Sequence, residues 1–192
     1  MLKEEARILY RKKRKALSFA ERAKSDDLML IQFQKLDLPF IHSLLSFWPI
    51  EENNEPNTHL FTDYLEFRNP ALSVSYPRTD FSNNNMEAVQ VDVDTPFQLK
   101  DHNIREPLGG TVINPATIDM VLVPLLICDK MGYRVGYGKG FYDKFLAGVS
   151  EDCIKIGFSY FEPIDKIEGK HDFDIPLNIC ITPQNVYVFN FS

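Results

Sequence analysis

Met120-Val121-Leu122-Val123-Pro124-Leu125-Leu126-Ile127, followed over residues 129–143 by DKMGYRVGYGKGFYD, is the stretch on which the fold turns. The first part is a near-continuous apolar run, the pattern of a strand buried on both faces of a parallel sheet. The second places four of the chain's nine glycines, Gly132, Gly136, Gly138 and Gly140, within nine residues. Phe141-Tyr142-Asp143-Lys144-Phe145-Leu146 then has the apolar spacing of a helix start. Strand, glycine loop and helix together turn main-chain N–H groups toward an anion. Arg134 and Lys139 add full positive charges to the same loop. The expected ligand is phosphorylated.

Two commoner phosphate loops are excluded by spacing. A Walker loop follows its Gly-Lys with Ser or Thr, whose hydroxyl holds magnesium; here Gly138-Lys139 is followed by Gly140. A dinucleotide fingerprint needs G-x-G-x-x-G, and this loop runs Gly136-x-Gly138-x-Gly140.

A length of 192 residues suits one domain, here 1–192, with a substantial core. A hydrophobic fraction of 44% with 25% charged residues is that of an ordinary globular protein, and no apolar run approaches the roughly 20 residues that span a bilayer. The charged N-terminus lacks the apolar centre of a signal peptide. Cys128, Cys153 and Cys180 are odd in number, far apart in sequence and without a C-x-x-C pair. The expectation is a cytoplasmic protein with neither a disulfide framework nor a zinc site. Residues 1–24 carry a net +6, leaving −12 for the rest. That remainder would repel a polyanion, so a small anionic ligand is expected rather than nucleic acid, and no membrane partner.

Residues 2–16 read as a helix, with Lys3, Arg7, Arg11 and Arg14 on one ridge and Leu2, Ala6, Leu9, Tyr10 and Leu17 on the adjoining stripe. Ser18-Phe19-Ala20-Glu21 is a capping box that opens a second helix, to about Lys35. Strands are expected at 44–48, 71–76 (ended by Pro77-Arg78), 86–93 (an edge), 154–159, 179–182 and 186–189. Helices are expected at 58–67 and from the glycine loop to about Leu146, and an ordered loop over 94–117. Alternating strands and helices give an α/β fold, a three-layer αβα arrangement around a mostly parallel central sheet. Ligands in such folds lie beyond the C-terminal strand ends, where the loops after Trp48 and Ile127 both fall.

Read with these segments in place, Val123-Pro124 through Asp129 and then Gly132 through Asp143 resemble the pattern of the 5-formyltetrahydrofolate cyclo-ligase family: Pro, Phe-Asp, then G-x-R-L-G-x-G-x-G-Y-Y-D. Lys3 to Arg7 with Leu17-Ser18, Tyr76-Pro77-Arg78, and His171-Asp172 are weaker matches in the same order. Phe141 stands where the family pattern has the first Tyr of its pair, and Cys128 where it has Phe.

The resemblance implies a NagB/RpiA-like fold and the ATP- and magnesium-dependent closure of 5-formyltetrahydrofolate to 5,10-methenyltetrahydrofolate, with release of ADP and phosphate. By position, it implies that Lys3, Arg7, Arg134, Gly136, Tyr137, Gly138, Lys139, Gly140, Phe141 and Tyr142 bind ATP. Trp48, Glu55, Tyr137, Gly138, Lys139, Gly140 and Phe141 would face the folate, with Glu51 or Glu52 open for the role of Glu55. Lys139, Arg134 and Asp143 would act in catalysis, and Asp143 and Asp172 would hold Mg2+. A monomer or weak homodimer is expected. A non-catalytic nucleotide- or folate-binding module and an enzyme like a sugar-phosphate isomerase are the alternatives.

Overall fold

A computed structural model describes residues 1–189, apart from the side chain of Asp101. The chain opens with α1 (Lys3–Ala16) and α2 (Phe19–Gln34), then β1 (Ser43–Leu45), α3 (Thr58–Arg68), β2 (Ser73–Asp80) and β3 (Asn85–Gln90). Four short strands follow: β4 (Phe97–Leu99), β5 (Arg105–Pro107), β6 (Thr111–Ile113) and β7 (Met120–Leu122). A hairpin of β8 (Ile127–Cys128) and β9 (Arg134–Val135) precedes α4 (Phe141–Leu146). The chain closes with β10 (Ile154–Phe158), β11 (Ile179–Ile181) and β12 (Val186–Val188).

Eight strands form one sheet in the order β12-β11-β10-β7-β1-β2-β3-β6. The five central strands, β11 through β2, are mutually parallel, and antiparallel strands extend both sides. Successive residues of these strands face opposite layers. Leu44, Met120, Leu122 and Ile156 face α2 and α3, whereas Leu45, Val121 and Val123 face α4. On the first face Phe61 stacks on Phe158 at 3.6 Å, and Phe33 meets both rings edge-on. The second face has a thinner cover, because α4 has only six residues and loops complete the layer. Helix α1 belongs to neither layer: Ala6 and Tyr10 pack against Leu126, Ile127, Val135 and Ile167 at the C-terminal ends of the strands.

Local signals place the helices. The Ser18 hydroxyl accepts from the Glu21 amide while the Glu21 carboxylate accepts from the Ser18 amide, a capping box that separates α1 from α2. Glu4 and Glu5 open α1, and Lys13, Arg14 and Lys15 close it, complementing its dipole.

Several boundaries differ from the sequence expectation, among them β1, which ends at Leu45 rather than Trp48. The apolar run 120–127 is not one strand: β7 ends at Leu122, and the chain turns at Pro124 into the β8–β9 hairpin. Pro77 does not end β2, which continues to Asp80. Pro77 faces the β1 side, where β1 pairs no further than Ser75, so its missing N–H breaks no ladder bond. The strand expected over 86–93 is not at the edge, since β6 pairs outside it. Residues 94–117, expected as loop, hold β4, β5 and β6.

Gly157 marks where β10 passes beneath the turn after β7. A Cβ there would stand 2.3 Å from Leu125 Cδ2 and 2.8 Å from Leu177 Cδ1. Both leucines are buried, so Gly157→Ala is expected to lower stability by about 1–3 kcal/mol through overpacking. Urea unfolding checks this; an unchanged midpoint would show that the two leucines can yield.

Candidate active site

Parallel pairing brings the chain out of β1 and β7 on the same side of the sheet, and α1 lies across that end. Between them opens a cavity of about 470 Å³. Lys3, Arg7, Trp48, Glu55 and the whole run from Arg134 to Asp143 line it, although the sequence separates them by up to 140 residues. Asp172 does not: it is exposed, and Asp174, two residues on, lines the cavity instead. Glu52 also lines it, while Glu51 does not.

The glycine loop keeps its amides available. No acceptor among the described residues takes the N–H groups from Gly136 to Gly140. Gly138 has φ +91° and Gly140 φ +74°, conformations that favour glycine and turn successive N–H groups into a concave anion cradle. The Gly136 carbonyl accepts from Arg7 Nε at 3.1 Å, so α1 fixes the loop and places a second cation beside it. Since α4 is short, the amides and side-chain cations, more than a helix dipole, supply the positive potential.

Two ion pairs frame this end. Arg134 donates to Asp143 Oδ1 at 3.0 Å and to the Ile175 carbonyl at 2.5 Å, and the Ile175 amide donates back to Asp143 Oδ1 at 3.1 Å. Burial draws the Arg134 guanidinium below its usual value, and Asp143 opposes that shift. Lys3 Nζ pairs with Asp174 Oδ2 at 2.5 Å, beside the His171 amide at 2.7 Å. Asp143 Oδ2 and Asp174 Oδ1 accept no hydrogen bond among the described residues, leaving two hard oxygens at the cavity. A magnesium ion takes one or two carboxylates and completes its shell with water and phosphate oxygens, so these residues fit one. No cluster of three or more His, Cys, Asp or Glu side chains able to hold a metal alone occurs among the described residues.

The other end is built on Trp48 and Glu55. His59, Tyr76 and Phe97 surround the indole at centroid distances of 4.7, 6.3 and 5.0 Å. Glu55 is buried, with Oε2 accepting from the Ile50 amide at 2.6 Å and Oε1 from the Tyr137 hydroxyl. Arg14 donates to that hydroxyl and, at 3.0 Å, to the Leu125 carbonyl. Burial raises the Glu55 carboxyl pKa, with Arg14 the leading opposing influence; burial and then Glu55 raise that of the Tyr137 hydroxyl.

Arg14 was legible only as part of a cationic ridge, yet it is 2% exposed. No pattern in the sequence marks Asp174, His102 or Arg105 as cavity residues, because the segment after β10 and the β4–β5 hairpin reach it only through tertiary packing. The cysteines also differ from their spacing: Cys128 and Cys180 sulfurs lie 3.0 Å apart across β8 and β11, both buried and free.

Beneath the Glu55 loop, Asp26 Oδ1 accepts from the Tyr160 hydroxyl at 2.9 Å and the Asn57 amide at 3.3 Å. Burial pushes the Asp26 carboxyl up to about 6, against those hydrogen bonds. The native state therefore holds a proton that the unfolded chain has already released, and stability falls as pH rises from about 4 to 6. Asn at this site keeps the acceptor without the charge. Asp26→Asn is expected to match wild type below pH 4 and to exceed it by about 1–2 kcal/mol at pH 7. A difference independent of pH in urea unfolding would contradict this.

The fold and cavity define a class: an α/β protein whose glycine-rich anion loop opens onto an aromatic, carboxylate-bearing pocket. The model of the 5-formyltetrahydrofolate cyclo-ligase family matches residues 43–183, and the chain belongs to that family. Among curated relatives, the 5-formyltetrahydrofolate cyclo-ligase of Mycoplasma genitalium is 39% identical over 69 residues, 35% of this chain and 42% of that protein. That of Haemophilus influenzae is 29% identical over 118 residues, 59% of this chain and 61% of its own length. These matches thus span about two to three fifths of the relatives' length. The solved 5,10-methenyltetrahydrofolate synthetase of Aquifex aeolicus superposes with a TM-score of 0.80 at 26% identity, covering 100% of this chain and 95% of that one. The synthetase structure from Mycoplasma pneumoniae, at 24% identity, shares the fold with a TM-score of 0.75 over 95% of this chain and 99% of that one. Among the described residues no helix is long and apolar enough to cross a membrane.

Proposed function

We propose that this protein converts 5-formyltetrahydrofolate to 5,10-methenyltetrahydrofolate at the expense of ATP, with release of ADP and phosphate. The observation that carries this reading is that one cavity joins an unbonded amide cradle and its cations to the Trp48–Glu55 pocket. A phosphate donor at one end and a reduced folate at the other would meet between them. Membership of the cyclo-ligase family supports the same reaction.

The chemistry accounts for the residue types. A formamide oxygen is a poor leaving group, so N10 cannot displace it directly. Transfer of the γ-phosphoryl group to that oxygen, with ADP departing, gives an iminium phosphate. N10 then attacks the formyl carbon, the carbon–oxygen bond breaks, phosphate leaves with the formyl oxygen, and N10 loses its proton. Both reacting groups must be aligned and the charge on the phosphoryl oxygens balanced. The Gly136–Gly140 amides, Arg7, Arg134 and Lys139 suit that balance, and Lys3 suits the outer phosphates. Asp143, with Asp174 rather than the exposed Asp172 facing the cavity, would hold the Mg2+ that accompanies ATP; that ion would shield phosphate charge. Glu55 would accept hydrogen bonds from the pterin's amino and ring N–H groups, with Tyr137 releasing Oε1 as the ring enters. Trp48 would pack along the folate's aromatic part.

Purified protein given 5-formyltetrahydrofolate, ATP and magnesium should show the near-ultraviolet absorbance of the methenyl product and ADP in equal amounts, each requiring both substrates. No turnover, with ATP and folate still bound in calorimetry, would place the protein among binding modules instead.

A further inference from the structure

Arg105 stands at the cavity mouth, where the reaction outlined above gives it no part. The β4–β5 hairpin sets Arg105 opposite Leu99 and seats Phe97 against Trp48. The Arg105 guanidinium lies over the Trp48 ring at 5.5 Å from its centroid. His59, Tyr76 and Phe97 hold that ring, so an exposed cation rests on a fixed aromatic platform.

Two nearby acids, Glu106 and Glu52, are engaged elsewhere. Glu106, the next residue, is buried; its Oε1 accepts from the Thr79 amide at 2.7 Å and its Oε2 lies 2.8 Å from Lys100 Nζ. Glu52, also at the cavity, accepts from the Asn103 side-chain amide. Arg105 pairs with no carboxylate among the described residues, in contrast to Lys3 and Arg134 at the other end. A planar guanidinium is suited to bidentate recognition of a carboxylate, and stacking lowers the entropy lost in holding it.

We propose that Arg105, stacked on Trp48, is the binding site for a carboxylate of the substrate's glutamate tail. This inference rests on the folate reading: with the pterin at Glu55 and the benzoyl ring along Trp48, the tail emerges past Arg105. It makes Arg105 a specificity-determining residue for the acidic end of the ligand, separate from the phosphate-binding cations.

The test is calorimetric titration of wild type and Arg105→Gln with two ligands, 5-formyltetrahydrofolate and the corresponding pteroate lacking glutamate. ATP is titrated in parallel. Arg105→Gln is expected to weaken 5-formyltetrahydrofolate about tenfold, the truncated ligand less than about twofold, and ATP not at all. Arg105→Lys should restore only part of the loss, since an ammonium group lacks the fork. Equal losses for both folates would assign Arg105 to packing on Trp48 and overturn the inference, as would no loss with either. Failure of wild type to bind either folate would instead overturn the folate reading on which it rests.

Discussion

Asp143→Ala is expected to abolish turnover, with kcat reduced by about 10³-fold or more, and to destabilise the protein as well. Its Oδ1 accepts from both Arg134 and the Ile175 amide, and the Arg134 side chain is only 6% exposed. Removing the carboxylate leaves a nearly buried guanidinium without its counter-charge, a loss of about 3 kcal/mol. Asp143→Asn separates the two effects. An amide oxygen still accepts both hydrogen bonds but gives Arg134 no counter-charge, so thermal unfolding should fall between wild type and Asp143→Ala, while the charge that would hold magnesium is gone. An Asn variant with wild-type kcat would remove Asp143 from the chemistry and leave it as the partner of Arg134.

Gly138→Ala is expected to lower kcat/KM for ATP by about 100-fold through displacement of Arg7. A Cβ at Gly138 would meet the Arg7 guanidinium at 3.1 Å, so that Arg7 must shift by a few tenths of an ångström against the Gly136 carbonyl that now fixes it. The φ of +91° adds strain of about 1–2 kcal/mol to any L residue there. Gly140→Ala is the control: φ is also positive, at +74°, yet nothing lies within 4 Å of its Cβ. It should lose far less activity. Equal losses in both variants would assign the effect to backbone strain and leave Arg7 without a role in nucleotide binding.

Much of the architecture was legible because burial dictates sequence. The strands around β1, β7, β10 and β11 are buried on both faces and read as apolar runs, and the Ser18–Glu21 box fixed the break between α1 and α2. What misled was local chemistry read without neighbours. Pro77 signals a strand end only if both strand edges are paired, and β1 is too short to pair there. The run 120–127 reads as one strand because Leu125, Leu126 and Ile127 are also fully covered, Leu125 over Gly157 of β10 and Leu126 and Ile127 against α1.

The same division holds at the site. The glycine loop was legible because its spacing and charge have no simpler purpose, and the α1 cations because helical periodicity aligns them. That this ridge turns inward follows only from where α1 docks: Arg14 is buried against Leu125 and Tyr137, and Arg7 faces Gly136. Asp172 and Asp174 lie on one turn, and nothing local distinguishes them. The pairing of Asp174 with Lys3, 171 residues away, brings Asp174 to the cavity.

If ATP activates the formyl oxygen within this cavity, that oxygen must leave on phosphate. The most direct test is to supply 5-formyltetrahydrofolate labelled with 18O in the formyl group and to weigh the inorganic phosphate released in a single turnover. Each phosphate is expected to carry the label, because the formyl oxygen leaves bonded to phosphorus. Unlabelled phosphate, formed alongside methenyl product, would show that ATP is hydrolysed without touching that oxygen and would rule out its activation by phosphoryl transfer.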